Sequence, residues 1–242
     1  MPTFAGGGTP ARGFVVIAGS LTGRARAARG RGILHAMKRA HIAMVLLAGV
    51  VAGSLVAHFV RNRQAPPPRL EHATLFAEPR ALPGFELIDQ AGAPFGAQRL
   101  RGQWTLLFFG FVNCPDICPT TLAMLAQVRK ALADLPEPDQ PGVVLVSVDP
   151  GRDTPPVLAR YVAHFDPSFT GVTGSPGAIG SLTQALGVAV VVGPPDADGN
   201  YAVDHTAAIF LIDPDGRFAA LFNTPHEAGA IARDYRRIVA AR

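Results

Sequence analysis

The chain has 242 residues and a formal net charge of +4, but the charge is unevenly placed. Residues 1–63 hold nine Lys/Arg and no acid (+9), and the remaining 13 basic and 18 acidic residues give −5, which sums to +4. The basic balance belongs to the N-terminal flank and the remainder is mildly acidic, which excludes a nucleic-acid footprint.

Residues 1–36 are rich in Gly, Ala and Arg and lack a core pattern. Two readings stay open for residues 1–41: a cytoplasmic basic tail, or a stretch untranslated before Met37-Lys-Arg, an ordinary start for a membrane anchor. Ile42–Val60 then runs 19 residues without a formal charge, interrupted only by Ser54 and His58. That length suffices for one membrane crossing. A cleaved signal peptide is the alternative, but the stretch exceeds a typical h-region and no clean small-x-small site follows it. Arg24, Arg26, Arg29, Arg31, Lys38 and Arg39 precede the segment, and only Arg61 and Arg63 follow closely. This asymmetry predicts a single span in the inner (cytoplasmic) membrane, with the N-terminus in the cytoplasm and the C-terminal part in the periplasm. Ala65-Pro-Pro-Pro68 opens an extended tether over 61–80.

Residues 81–242 are enough for one domain with a real core. Phe85-Glu-Leu-Ile-Asp89 and Gln90-Ala-Gly-Ala-Pro94 predict a first hairpin. The apolar run Thr105–Val112 reads as a strand covered on both faces, leading through a cysteine loop into a helix at about 119–135. Pro136, Pro138, Pro141 and Gly142 break the chain before a second buried strand, Val143–Val148. Helices at 155–165 and 176–186 and a β-region at 188–192 follow. A strand over 206–213 turns through Pro214-Asp-Gly216 into Arg217–Phe222, and an amphipathic helix at 226–241 closes the chain. This order predicts an α/β thioredoxin-like fold with an N-terminal hairpin extension.

Cys114 and Cys118 are the only cysteines, and they lie where the first central strand gives way to a helix. A helix N-terminus favours thiolate over thiol, and a thiolate serves both disulfide exchange and soft-metal binding. An ordinary structural disulfide is the competing reading for an exported domain. By loop-closure entropy, a five-residue loop stabilises by only about 2 kcal/mol, so a staple is not its purpose. Thioredoxin-type oxidoreductases use Cys-x-x-Cys; the extra residue of Cys-x-x-x-Cys widens the gap between reduced sulfurs, which suits two thiolates converging on a metal. Facing the cysteines, such folds carry a cis-proline before the final hairpin, whereas this chain reads Tyr201-Ala-Val-Asp-His205-Thr. For a lone histidine the default is a surface or satisfied core residue. His205 differs because the fold would aim it at the cysteine loop. Two thiolates and an imidazole suit Cu(I), with Zn(II) the competitor on ligand type.

Four stretches resemble the Sco/SenC family of membrane-tethered copper proteins: Phe109-Gly-Phe-Val-Asn-Cys114-Pro-Asp-Ile-Cys118-Pro-Thr-Thr, Val146-Ser-Val-Asp149-Pro-Gly-Arg152-Asp153-Thr-Pro, Phe165-Asp-Pro-Ser-Phe-Thr-Gly-Val-Thr-Gly174 and Val203-Asp-His205-Thr. The resemblance covers about 81–242 and implies a copper site, Cu(I) with Cu(II) as a second state, made by Cys114, Cys118 and His205. It implies a chaperone that loads the dinuclear copper centre of cytochrome c oxidase, with the copper-centre subunit, a periplasmic copper donor and a thiol reductant as partners. The alternative is a thiol–disulfide reductase for the oxidase's copper-binding cysteines, with Cys114 and Cys118 as redox pair. A peroxidase-like use of the fold ranks third, since a peroxidatic cysteine has no need of His205. Asn113 stands where many relatives have histidine or threonine. Asp153 or Thr154 reads as the cap of the helix near Pro155, Arg152 as a candidate to offset thiolate charge, and Phe108, Phe109 and Phe111 as core.

Overall fold

The structure, a computed structural model, describes residues 41–58, 68–197 and 199–242. The chain divides into two compact units, Met1–Ala65 and Pro66–Arg242. In the first, helix α1 (His41–His58) is exposed along its whole length and is long and apolar enough to cross a membrane. Eighteen residues at 1.5 Å each span about 27 Å, close to the hydrocarbon thickness. The basic tail before residue 41, the last two residues of the expected span and the tether over 61–67 lie outside the described residues.

The second unit is built on a central parallel pair. Strand β4 (Thr105–Gly110) is buried at every position, and β5 (Gly142–Ser147) at all but its first. Both pair with neighbours on each side, so both faces need cover, and this is why the sequence shows continuous apolar runs instead of alternation. Strand β6 (Thr170–Thr173) extends the parallel set, and β9 (Ile209–Ile212) and β10 (Arg217–Phe222) add an antiparallel hairpin on the other side. Its turn is set by Asp213, whose carboxylate accepts from the N–H groups of Asp215 and Arg217 at 3.0 and 2.9 Å, and by Gly216 at φ +78°. The expected first hairpin is β2 (Leu87–Asp89) with β3 (Pro94–Phe95), and it joins the sheet beside β6.

Among the described residues, four α-helices accompany the sheet: α2 (Ile117–Ala131), α3 (Pro155–Phe165), α4 (Pro176–Leu186) and α5 (Ala228–Ala240). Each of α3 and α4 opens on a proline, whose fixed φ and missing N–H suit a first helical turn. Ser175 caps α4 by accepting from the Ala178 N–H at 3.2 Å, and Gly187, at φ +69°, ends it.

Two boundaries differ from the sequence expectation. Residues 73–80 are not tether: β1 (Ala73–Ala81) pairs antiparallel with β10, so the sheet order is β1-β10-β9-β4-β5-β6-β2-β3 and the folded domain begins before residue 81. Being an edge strand, β1 has no continuous apolar face, and Glu78-Pro79-Arg80 reads as loop. The β-region at 188–192 is β7 (Val190–Val192), paired with β8 (Val203–His205) in a separate two-stranded sheet. The following strand accordingly starts at Ile209, three residues later than expected.

Candidate metal centre

The cysteine loop leaves the carboxyl end of β4. Gly110, its last residue, touches the site directly: a Cβ there would lie 3.1 Å from Cys118 Sγ, 3.0 Å from Phe108 Cε1 and 3.1 Å from Leu145 Cδ1. Cys118 stands in the first turn of α2, is buried, and packs its sulfur against the sheet. Cys114, half-buried, lies in the loop before it; both are free thiols. The Cys118 N–H donates to Cys114 Sγ at 3.4 Å, so a helix N-terminal amide points at the more exposed sulfur. For Cys118 the expected preference for thiolate is reversed in the metal-free protein. Burial pushes its thiol pKa well above the usual range, the Cys114 sulfur adds to that, and a backbone hydrogen bond at Phe111 only partly opposes it.

His205 ends β8, and its Nε2 lies 3.3 Å from Cys118 Sγ. Its Nδ1 lies 3.1 Å from the Thr206 carbonyl oxygen. A carbonyl only accepts, so we assign the ring proton to Nδ1, which leaves the Nε2 lone pair facing the sulfur. Burial lowers the His205 pKa, with the Thr206 carbonyl and Asp204 acting the other way, so the ring is held neutral, the form that binds metal. The rings of Phe108 and Phe111 stand edge-on to it, each with a centroid 5.9 Å away, and restrict its orientation.

The ligand atoms of Cys114, Cys118 and His205 all lie within 4.8 Å of one another. Two sulfurs and a nitrogen bound at about 2.0–2.3 Å to one ion stand roughly 3.5–4 Å apart, so the triad fits a single soft metal with small adjustments. The three residues singled out in the sequence are thus brought together.

The Asp149–Pro155 loop behaves differently from expectation. Asp153 is not a helix cap: its buried Oδ2 accepts from the Ser147 hydroxyl at 2.7 Å and from the Val112 N–H at 3.1 Å, two residues before Cys114. Thr154 occupies the cap position of α3 with no side-chain cap bond. Arg152 is engaged by the Asp149 carboxylate and lies 3.7 Å above the Tyr201 ring, so its charge is committed there and not to the sulfurs. Of the other histidines, His226 Nε2 donates to the Ala207 carbonyl at 2.6 Å, and His164 meets Phe165 edge-to-face. Gly110, Asp153 and Tyr201 were missed as parts of the site; apart from the glycine closing an apolar strand, nothing local in the sequence marks them.

The SCO1/SenC family pattern matches residues 76–240. The chain belongs to the SCO1/SenC family. It is 42% identical over 159 residues to the mouse protein named "Protein SCO2 homolog, mitochondrial", covering 65% of this chain and 62% of that protein. It is 37% identical over 161 residues to a "Putative copper-binding protein" of Stutzerimonas stutzeri, covering 66% of this chain and 77% of the other. The solved structure of Bradyrhizobium japonicum ScoI with copper bound superposes with a TM-score of 0.58 at 37% identity, covering 65% of this chain and 99% of that one. The chain thus spans less than two thirds of the mouse relative's length. The SCO1/SenC domain here has the expected thioredoxin-like fold, and the matched region begins inside β1, in keeping with the earlier domain start.

Proposed function

We propose that this chain is a copper chaperone, anchored by α1, that binds copper through Cys114, Cys118 and His205 and passes it to the dinuclear copper centre of cytochrome c oxidase. The observation that carries this reading is the clustering of two sulfurs and an imidazole nitrogen within 4.8 Å of one another. Soft thiolates favour Cu(I), and a three-donor site leaves coordination positions open to an incoming acceptor ligand. The copper-bound Bradyrhizobium relative and the Stutzerimonas name support the choice of metal. The domain belongs on the periplasmic side, as the excess of Lys/Arg before α1 favours.

Thiol–disulfide reduction is the second reading, favoured by the half-buried Cys114 sulfur receiving the Cys118 N–H. There Cys114 attacks a partner disulfide and Cys118 resolves the mixed disulfide. The partner gains two thiols, the chain is oxidised to its own disulfide, and an external thiol reductant restores it.

His205 separates the two. In the reduced full chain in detergent, with thiols counted first, His205→Ala is expected to weaken Cu(I) binding more than about a hundredfold in competition titrations, while reaction with a model disulfide changes little. Copper affinity equal to that of the parent would remove the chaperone reading and leave the reductase.

A further inference from the structure

His205 is carried by the β7–β8 hairpin, which Val203 ties to the core and which the rings of Phe108 and Phe111 flank at the histidine. Among the described residues, the β7–β8 pair is hydrogen-bonded to no strand of the eight-stranded sheet. Between it, α4 and the loop after β5 lies an open cavity of about 590 Å³, lined by Val148, Ile179, Thr183, Val190, Val192 and Tyr201. On that side the hairpin is open to solvent, so a polar contact across the groove adds to the packing of Val203 in fixing where the imidazole sits.

What spans this gap is Tyr201, two residues before β8 and four before His205. Its hydroxyl donates to Asp149 Oδ1 at 2.6 Å. Its carbonyl accepts from Arg152 Nη2 at 3.3 Å, and the Arg152 guanidinium, itself paired with Asp149, covers the ring. Asp149 is a firm anchor: only 4% exposed, it donates its own N–H to Ser147 Oγ at 3.0 Å. The same Ser147 hydroxyl donates to Asp153, which holds the Val112 N–H beside the cysteine loop. One loop, 147–153, thus grips both the sulfur-bearing and the imidazole-bearing segments.

We propose that Tyr201 is a positioning residue: through the Tyr201–Asp149 hydrogen bond it clasps the β7–β8 hairpin to the 147–153 loop and so sets the distance between His205 Nε2 and the two sulfurs. This rests on the copper reading above. The hydroxyl donates to a nearly buried carboxylate, the stronger class of hydrogen bond. Without it the hairpin samples positions in which the imidazole is out of range, and apparent metal affinity falls by the fraction of time the site is complete.

The test is a double-mutant cycle on the reduced full chain in detergent, read by anaerobic Cu(I) competition titration. Tyr201→Phe removes only the hydroxyl and is expected to weaken Cu(I) binding about tenfold when His205 is present. In a His205→Ala background the same change is expected to alter affinity by less than about twofold, since there is no imidazole left to position. Asp149→Asn serves as a second variant, and its effect should not add to that of Tyr201→Phe. Equal losses with and without His205 would show a general structural role and overturn the clasp, as would an unchanged affinity with His205 present. Failure of His205→Ala to affect binding would overturn the copper reading instead, and the clasp with it.

Discussion

Gly110→Ala tests how closely the strand and the sulfur are fitted. The added methyl carbon would stand 3.0–3.1 Å from Phe108, Leu145 and Cys118 Sγ, all three fully buried. Ordinary carbon contacts are about 3.5–4.0 Å, so each neighbour must retreat by roughly half an ångström. Overpacking of this kind costs about 1–3 kcal/mol, offset by about 0.5–1 kcal/mol because alanine is the better strand residue. The expected net loss centres on about 1 kcal/mol. Trp104 is the chain's single tryptophan and is 3% exposed, so its fluorescence follows unfolding in urea. Because ligand placement matters to about 0.2 Å, a displaced Cys118 sulfur should also weaken Cu(I) binding about tenfold. A variant with unchanged urea midpoint and unchanged copper affinity would refute the argument that this glycine is required by the approach of Cys118.

Two other outcomes follow from the geometry. Asp234 is fully buried and accepts from the N–H groups of Glu71, His72 and Ala73 at 2.7–2.9 Å, tying the start of β1 to α5. Asp234→Asn should cost about 2 kcal/mol at pH 7 in urea denaturation. Burial resists ionisation of this carboxyl, but the His72, Glu71 and Ala73 amides and then Arg237 outweigh it and hold the pKa below the ordinary value. Its stabilisation is therefore complete above the unfolded carboxyl pKa of about 4 and is lost as pH falls through the lower folded value, so the gap between parent and variant should close on acidification. A gap that persisted undiminished at low pH would reject that assignment. Finally, limiting iodoacetamide on the reduced, metal-free protein should modify the half-buried Cys114 before the buried Cys118, as read by peptide mass spectrometry. The reverse order would contradict the exposure of the pair.

Much of the domain could be read from residue order because its centre is insensitive to context. Leu106–Phe109 and Val143–Val146 are apolar throughout, and short runs of this kind flanked by turn residues suit a strand covered on both sides. The cysteine pair was marked by its own spacing, and His205 by standing where a thioredoxin-like order of elements faces that pair. What escaped depends on partners distant in the chain. β1 is an edge strand whose pairing with β10 spans more than 130 residues, and its Glu78-Pro79-Arg80 carries no strand signal. Asp153 looked like a helix cap because the local text Asp-Thr-Pro says so; its true partner, Val112, lies 41 residues earlier. The ionisation of Cys118 was misjudged because the helix dipole can be read from position, whereas burial under β4 cannot.

The cysteine loop follows β4 and the Asp149–Asp153 loop follows β5, so both issue from the same end of neighbouring parallel strands. Side chains there can be exchanged without disturbing the aliphatic layers below them. A related chain could thus swap a donor atom, or retune how tightly an ion is held, while inheriting the same scaffold unchanged.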